Sequence, residues 1–180
     1  MRATLKHFPG LGRVRGDTHL LPANLHASAA ELETSDWLPF RQGLQASQSL
    51  LRVGHATLMA LDASKPASRS PKVVRQLVRE RWGHDGVLVT DDLSMGAVVA
   101  QGMCGAGVDA LNAGIDLLLV SYDPDQYFEV FYCMLQAQRR GQLEAGLLQR
   151  SQRRLQKLRQ SFPLPPAKQA VVTSVSPQQR

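Results

Sequence analysis

The chain has 180 residues, of which 43% are hydrophobic and 20% are charged, and a formal net charge of +6 at pH 7. These proportions are those of an ordinary globular domain and exclude a disordered or collagen-like chain. The sequence contains no run of 18 apolar residues, and residues 1–6 lack the apolar segment of a secretory signal. We therefore expect no membrane contact and a cytoplasmic location.

Four short apolar segments predict β-strands, and five segments with helical periodicity lie between or after them. The predicted strands span residues 3–6, 50–54, 87–90 and 117–121. The predicted helices span residues 29–46, 71–82, 105–112, 124–140 and 144–161. Each strand segment is continuously apolar, as in parallel sheets that helices cover on both faces. Strands that alternate with helices of this length indicate βα units and a parallel sheet.

The helix predicted at 71–82 has a start signal and a stop signal. Ser70 is a suitable N-cap, Pro71 fits the first helical turn, and Gly83 fits the residue after the last turn. These signals fix the ends of this helix more closely than periodicity alone does.

The C-terminal segment differs in composition from the rest of the chain. It contains Pro163, Pro165 and Pro166, followed by a Ser- and Gln-rich end. Such a segment buries too little apolar surface to offset the entropy lost on ordering. We therefore predict one folded domain at residues 1–162 and a disordered tail at residues 163–180.

The two cysteines carry no metal or disulfide signature. Cys104 and Cys133 are far apart in the sequence and lack Cys-x-x-Cys or histidine spacing. We predict that both are buried small hydrophobic side chains without a disulfide bond. No other spacing in the chain suggests a metal site.

Much of the positive charge lies near the C-terminal end of the predicted domain. Seven basic residues fall there, namely Arg139, Arg140, Arg150, Arg153, Arg154, Lys157 and Arg159. A helical apolar stripe in this stretch leaves the arginines on the opposite side, which predicts a solvated helix face. An anion- or nucleic-acid-binding module is the weaker alternative, because no nucleic-acid motif or aromatic stacking platform accompanies the charge.

Three motifs, in this order, resemble the active-site loops of one known family. They are Lys6-His7-Phe8-Pro9-Gly10, Asp17-Thr18-His19 and Thr90-Asp91-Asp92-Leu93-Ser94-Met95. The chain resembles glycoside hydrolase family 3, in particular its bacterial β-N-acetylhexosaminidase (β-N-acetylglucosaminidase) branch. That branch has KHFPG at the end of one barrel strand, Asp-x-His in the next loop and [Ser/Thr]-Asp-[Asp/Ala]-Leu-x-Met after a later strand. Segments 54–62, 66–71, 110–120 and 151–158 also resemble the family.

The resemblance implies an α/β fold built on a (β/α)₈ TIM barrel. A complete barrel takes about 250 residues, and the family's matching motifs begin in the second half of its barrel. We therefore expect a partial barrel of about the last four βα units, with Met1 as a late start or a fragment boundary. Half a barrel exposes two strand edges, so we also expect a homodimer or a second chain that supplies the other half.

The resemblance also implies roles for five residues. Asp91 corresponds to the carboxylate nucleophile, His19 to the acid/base, and Asp17 to the carboxylate that orients it. Lys6 and His7 correspond to residues that bind the sugar hydroxyls. The residue types suit these roles, since a histidine pKa near 6.5 allows proton transfer in both directions at neutral pH and a carboxylate fixes its tautomer.

The residues alone leave several alternatives open. Asp17-Thr18-His19 also fits a polar surface loop, and Asp91 or Asp92 also fits an N-cap. Repulsion between the two adjacent carboxylates is expected to raise the pKa of at least one of them. His55, at another strand end, is most simply a hydrogen-bonded core histidine, and Leu11 departs from the family, which usually has histidine there.

The resemblance implies retaining hydrolysis of terminal, non-reducing β-linked N-acetylglucosamine. The substrate would be a β-N-acetylglucosaminide or muropeptide sugar in peptidoglycan recycling, and the family needs no cofactor and no metal. We expect no nucleic-acid partner. With half of the sugar site absent, activity is expected to be impaired, and a non-catalytic remnant or a half-barrel that needs a partner chain is the alternative.

Overall fold

The computed structural model describes residues 3–162, so the tail predicted at 163–180 lies outside the described residues. The strands are β1 (Thr4–Phe8), β2 (Asn24–Leu25), β3 (Leu50–Val53), β4 (Thr57–Leu58), β5 (Leu88–Asp92) and β6 (Leu117–Leu119). The α-helices are α1 (Ala29–Thr34), α2 (Leu38–Ala46), α3 (Gly96–Val99), α4 (Met103–Ala113), α5 (Pro124–Arg139) and α6 (Ala145–Gln160). A 3₁₀ turn (Ala67–Arg69) and a π-helix (Lys72–Arg81) lie between β4 and β5.

The main sheet has four parallel strands in the order β1-β3-β5-β6. Each strand pairs with the next predicted one along the chain, and helices connect them, which confirms the α/β class with a parallel sheet. Since parallel strands end at the same edge of a sheet, residues that follow them meet there. A second, two-stranded parallel sheet joins β2 to β4. Its two-residue strands are too short to leave a sequence pattern.

Burial differs between the inner and outer strands. The inner strands β3 and β5 alternate buried and half-buried side chains. The outer strands are more open: β1 alternates exposed and half-buried residues before Phe8, and Leu117 of β6 is exposed. The expectation that all four strands are covered on both faces is therefore wrong for β1 and β6, because each has exposed side chains on one face.

The helix predicted at 29–46 is two helices. Ser28 begins α1 with a capping box, in which its hydroxyl accepts from the Glu31 amide and the Glu31 carboxylate accepts from the Ser28 amide. Three residues separate α1 from α2, whose first turn contains Pro39. Proline has no amide hydrogen and is favoured at a helix start, so it begins α2 rather than continuing α1.

Aromatic side chains fill the core beneath β1. Phe8 and Trp37 are fully buried, and their ring centroids lie 6.2 Å apart. Trp82, at the end of the π-helix, lies 5.2 Å from Phe8 and 5.8 Å from Trp37. This cluster fixes α2 and the π-helix against the strand that carries the first motif. The N-cap residue of the π-helix is Pro71, one position after the predicted Ser70, and the Ser70 hydroxyl accepts from the Val73 amide at 3.3 Å.

The two cysteines form a disulfide bond, which corrects both predictions made for them. Cys104 of α4 and Cys133 of α5 are bonded, with their Cα atoms 5.7 Å apart. Cys104 is exposed and Cys133 is half-buried. The two cysteines are 29 positions apart, and the sequence between them gave no signal of this pairing, since it arises from the packing of α4 against α5.

A buried ion-pair cluster lies at the opposite end of the sheet from the strand termini that carry the motifs. The carboxylate of Asp116 is fully buried and accepts from Arg79 at 2.6 Å and from the Leu88 amide at 2.8 Å. Arg154 of α6 lies 3.3 Å from Asp116 and 2.7 Å from Asp85. The solvated face predicted for the basic helix is confirmed for its other arginines, but Arg154 is largely buried.

Across residues 3–162, no helix combines the length and apolar composition needed to cross a membrane.

Candidate active site

Three adjacent parallel strands bring charged side chains together at their carboxyl ends. The carboxylate of Asp91 on β5 is buried, and its Oδ1 lies 3.2 Å from Nε of Arg52 on β3. The same oxygen lies 3.8 Å from Nε2 of His7 on β1. Asp91 and His7, both predicted from the sequence, are therefore neighbours in space. Their meeting follows from the strand order, which places β3 between β1 and β5.

Arg52 is the site residue that the motifs did not identify. It stands between two fully buried residues, Leu51 and Val53, on an inner strand. A cation on such a strand requires a partner, because burying an unpaired charge is expensive. That requirement is a sequence signal, but it does not name the partner, and the structure shows that it is Asp91.

His7 is half-buried between these charges. Burial is the main cause that lowers the pKa of His7 below its usual value. The charge of Asp91 tends to raise that pKa, whereas the charges of Arg52 and Lys6 lower it further. The ring is therefore neutral at pH 7 and can donate or accept a hydrogen bond. Lys6 is exposed at the same edge of the sheet. The Lys6–His7 and Phe8–Pro9 peptide bonds are cis.

Asp17 and His19 form a hydrogen-bonded pair on an exposed loop. Oδ1 of Asp17 lies 2.7 Å from Nδ1 of His19 and accepts from the His19 amide at 2.9 Å. The bond from the His19 amide, and then the bond from its ring, lower the pKa of the Asp17 carboxyl. A carboxylate at Nδ1 leaves Nε2 as the nitrogen that can exchange a proton with another molecule. The pairing predicted from the sequence is thus present.

The loop that carries His19 is anchored beside the end of β5. The amide of Gly96, at the start of α3, donates to the His19 carbonyl oxygen at 2.8 Å. A Cβ atom at Gly96 would lie 2.6 Å from the Leu20 carbonyl oxygen, closer than real Cβ contacts. The approach therefore requires glycine. It connects the Asp17–His19 pair to the segment that follows Asp91 and Asp92.

Asp92 is a structural carboxylate. Its Oδ1 accepts from the Ser94 hydroxyl at 2.6 Å and from the Ser94 amide at 2.9 Å, and its Oδ2 accepts from the Ser121 hydroxyl. Burial tends to raise the pKa of Asp92, but the hydrogen bonds from Ser121 and Ser94 outweigh it and hold that pKa below its usual value. Carboxylate repulsion, expected to raise the pKa of at least one acid of the pair, does not raise that of Asp92. Its bonds join the ends of β5 and β6.

His55 is a hydrogen-bonded core histidine, as predicted. It is buried, with Nδ1 2.8 Å from the Ser68 hydroxyl and Nε2 3.1 Å from the Asp92 carbonyl oxygen. Burial is the main cause that lowers its pKa. A neutral ring held at both nitrogens positions the Asp91–Asp92 backbone and has no nitrogen left for a substrate.

The predicted residues thus fall into two clusters at one end of the sheet. Asp91 lies with His7 and Arg52, Asp17 lies with His19, and Gly96 links the two. Within residues 3–162, no three His, Cys, Asp or Glu side chains are arranged to hold a metal ion. The arrangement has a buried carboxylate, that of Asp91, beside Arg52 and His7. It also has an exposed imidazole, that of His19, which the Asp17 carboxylate orients.

The chain is similar to known glycosyl hydrolases of one family. The profile described as "Glycosyl hydrolase family 3 N terminal domain" matches residues 1–158. A β-hexosaminidase from Tolumonas auensis is 40% identical over 121 residues, which are 66% of this chain and 36% of that protein. An uncharacterized secreted glycosyl hydrolase from Arthroderma benhamiae is 34% identical over 160 residues, which are 87% of this chain and 45% of that protein.

The fold is similar to a solved structure of the same kind. A glycoside hydrolase family 3 β-N-acetylglucosaminidase from Paenibacillus sp. str. FPU-7 superposes with a TM-score of 0.85 and 29% sequence identity. The match covers 96% of this chain and 35% of that chain. The present chain therefore spans less than half the length of each of these relatives.

Proposed function

The chain belongs to glycosyl hydrolase family 3, and from that membership we propose that it carries the reacting groups of a retaining β-N-acetylglucosaminidase. The observation that carries the proposal is the buried carboxylate of Asp91 at the end of an inner strand, between two basic side chains. Catalytic groups of parallel barrels lie at this end of the strands. The names of the relatives support the sugar, since they are called β-hexosaminidase and β-N-acetylglucosaminidase.

In the first step Asp91 acts as the nucleophile. Its carboxylate oxygen forms an ester bond with the anomeric carbon while the bond from that carbon to the leaving oxygen breaks. His19 transfers the proton on Nε2 to the leaving oxygen, and Asp17 stabilises the imidazolium from which that proton comes. In the second step His19 removes a proton from water, the water oxygen bonds to the anomeric carbon, and Asp91 is released.

Lys6 and His7 bind sugar hydroxyls in this proposal. Lys6 is exposed at the edge of the sheet and offers three donors, and the neutral His7 ring lies 3.8 Å from Asp91. The place of His7 beside Asp91 supports its role, and Lys6 is the preceding residue of β1. The biological substrate we propose is a terminal β-linked N-acetylglucosamine of a muropeptide, in peptidoglycan recycling.

A cytoplasmic location remains a proposal, and the disulfide provides a test of it. Structural disulfides persist in oxidising compartments and are rare in the cytosol. Titration of thiols in the denatured, unreduced protein distinguishes the two cases. Two free thiols on Cys104 and Cys133 would fit the cytoplasm, whereas none would contradict that location.

We further propose that the 180 residues alone turn substrate over slowly. Positioning of the substrate supplies about 7–11 kcal/mol of the barrier reduction in well-oriented reactions. The chain spans less than half the length of the relatives named above, so most of their length is available for further sugar contacts. A non-catalytic remnant, or a half-barrel completed by a partner chain, is the competing function.

The test compares release of nitrophenol from its β-N-acetylglucosaminide by two proteins. One is the 180-residue chain, and the other is the same chain fused behind the first half of a family 3 barrel. We expect slow turnover by the first and robust turnover by the second, abolished by Asp91→Asn in both. The half-buried residue Asp123 caps α5, and asparagine is an equally good cap, so Asp123→Asn supplies the matched control. An inactive fusion would favour the remnant.

An anion-binding function is not favoured. Of the basic residues that suggested it, Arg154 is committed to Asp85 and Asp116, and Lys157 lies 3.7 Å from Asp85. Those pairs hold α6 against the body of the domain.

A further inference from the structure

Helix α5 exposes an aromatic face. Four large side chains on this helix are about half exposed or more, at 49% for Tyr127, 55% for Phe128, 47% for Phe131 and 65% for Tyr132. The opposite side of the helix packs on the domain through buried Val130 and Ala137, and the disulfide ties it to α4. The four exposed residues, Tyr127, Phe128, Phe131 and Tyr132, are called the aromatic face below.

The aromatic face is a continuous surface. The rings of Tyr127 and Phe131 are stacked with an interplanar angle of 12°. Phe128 packs edge-on against Tyr127, and Tyr132 packs edge-on against Phe131. Single exposed apolar residues are ordinary, but a contiguous apolar patch marks a surface that binds something. Aromatic side chains are enriched at the centres of protein interfaces.

Charges at the two ends of the helix identify the occupant. Asp125 and Arg139 are both exposed, and neither forms an ion pair within residues 3–162. Their spacing from Phe128 and Tyr132 places all four side chains on one side of the helix, since positions three, four and seven apart share a face. The outer side of α5 thus has an acid at its start, aromatic rings along it and a base at its end.

We propose that the aromatic face binds the same face of a second copy of this chain, with the two α5 helices antiparallel about a two-fold axis. In that arrangement Asp125 of each copy lies opposite Arg139 of the other copy. The two-fold axis therefore produces two Asp125–Arg139 ion pairs. A two-fold interface is self-complementary in this way. A parallel arrangement would instead place like charges side by side.

The dimensions fit such an interface. A helix of 16 residues is about 24 Å long, which spans the distance between the two charged ends with the aromatic rings between them. Aromatic residues bury about 150–250 Å² each when fully covered. Because about half of each of the four residues is still exposed, the aromatic faces of two copies supply roughly 650–1,100 Å², which is close to the roughly 1,000 Å² that a specific interface requires. The proposal does not depend on the hydrolytic function.

Sedimentation velocity of the 180-residue chain over a range of micromolar concentrations tests the proposal. We expect the wild-type chain to be dimeric and Phe128→Asp to be monomeric. Asp125→Arg and Arg139→Asp, each alone, are expected to weaken dimerisation by roughly tenfold, because every reversal acts twice across the two-fold axis. The double variant Asp125→Arg/Arg139→Asp is expected to restore the wild-type constant.

Controls separate this interface from others. Arg150→Asp reverses an exposed charge on α6 and is expected to leave dimerisation unchanged. Circular dichroism confirms that each variant is folded, and Tyr132→Ser provides a milder substitution if Phe128→Asp is not.

Three results would overturn the proposal. A wild-type monomer at every concentration would mean that the face binds something other than a second copy. A dimer or aggregate indifferent to Phe128→Asp would place the contact elsewhere, such as on the open edges of β1 and β6. Single reversals that weaken the dimer without rescue by the double variant would exclude the antiparallel pairing.

Discussion

The Nε atom of Arg52 lies 3.2 Å from Oδ1 of Asp91. In the proposed reaction the carboxylate that faces Arg52 is the form that attacks the sugar and also the form that is released when the ester is hydrolysed. In the ester itself Asp91 carries no charge, so the pair is lost in the intermediate. Arg52 therefore favours hydrolysis of the ester over its formation. Its effect on the rate differs between these two steps.

The first prediction follows from this difference. In the fusion protein, Arg52→Met is expected to slow release of the sugar by roughly tenfold, since a hydrogen bond to a charged group contributes about 1.5–3 kcal/mol. Stopped-flow measurement of nitrophenol should then show a burst followed by a slower steady rate. Arg52→Lys keeps the charge and should show a smaller burst. Equal slowing of both phases would assign Arg52 a purely structural role.

The second prediction separates the nucleophile from the acid/base. Asp91→Ala removes the covalent route and is expected to leave no activity on any substrate. His19→Ala should retain activity on a nitrophenyl substrate, because nitrophenolate needs little protonation to depart, and should lose it on substrates with alkoxide leaving groups. Azide is expected to rescue turnover by the His19 variant. Equal losses on both substrates, without rescue, would show that the roles are wrongly assigned.

The third prediction concerns stability at the opposite end of the sheet. Asp116→Ala leaves Arg79 buried without its partner, which is expected to lower the free energy of unfolding by about 3–5 kcal/mol. Asp109→Ala is the matched control, because its pair with Lys65 is exposed and should contribute less than about 1 kcal/mol. Urea denaturation measures both. Similar losses for the two variants would contradict the importance of burial.

The fourth prediction is a pH dependence of stability. Burial, assisted by the charge of Arg79, lowers the pKa of His84 from 6.5 to about 4. Below pH 6.5 the unfolded chain binds a proton on His84, whereas the folded chain does not until about pH 4. The contribution of neutral His84 to the free energy of unfolding is therefore complete above pH 6.5 and is lost as the pH falls towards 4. We expect the free energy of unfolding to fall over that window, and His84→Gln to reduce the slope. An unchanged slope would assign the effect to other groups such as His55.

Sequence patterns were sufficient for the order of the main elements. The four long strands and their parallel arrangement follow from apolar runs separated by helical segments, and capping signals at Ser70 and Gly83 located the π-helix. The interruption between α1 and α2 was missed, although the polar residues Ser35 and Asp36 lie in it. Pro39 is the signal that marks the second start.

Contacts between distant segments could not be predicted in the same way. The motifs supplied Asp91, His7, Asp17 and His19, but not Arg52, since only the strand order places it beside Asp91. The disulfide likewise depends on how two helices pack. A polar residue between buried neighbours signals that a partner exists, whereas its identity is a property of the folded sheet.

The Asp116 cluster and the Asp91 cluster occupy opposite ends of the same strands. Selection can therefore act on them separately. A lineage that loses His19 or Asp17 keeps the buried ion pairs that hold the helices to the sheet, and so inherits a foldable protein without its chemistry. Loss of Asp116 has a different effect, because it destabilises the fold that positions all of the site residues. A chain that has lost the proposed hydrolytic activity can therefore still fold and acquire a different function.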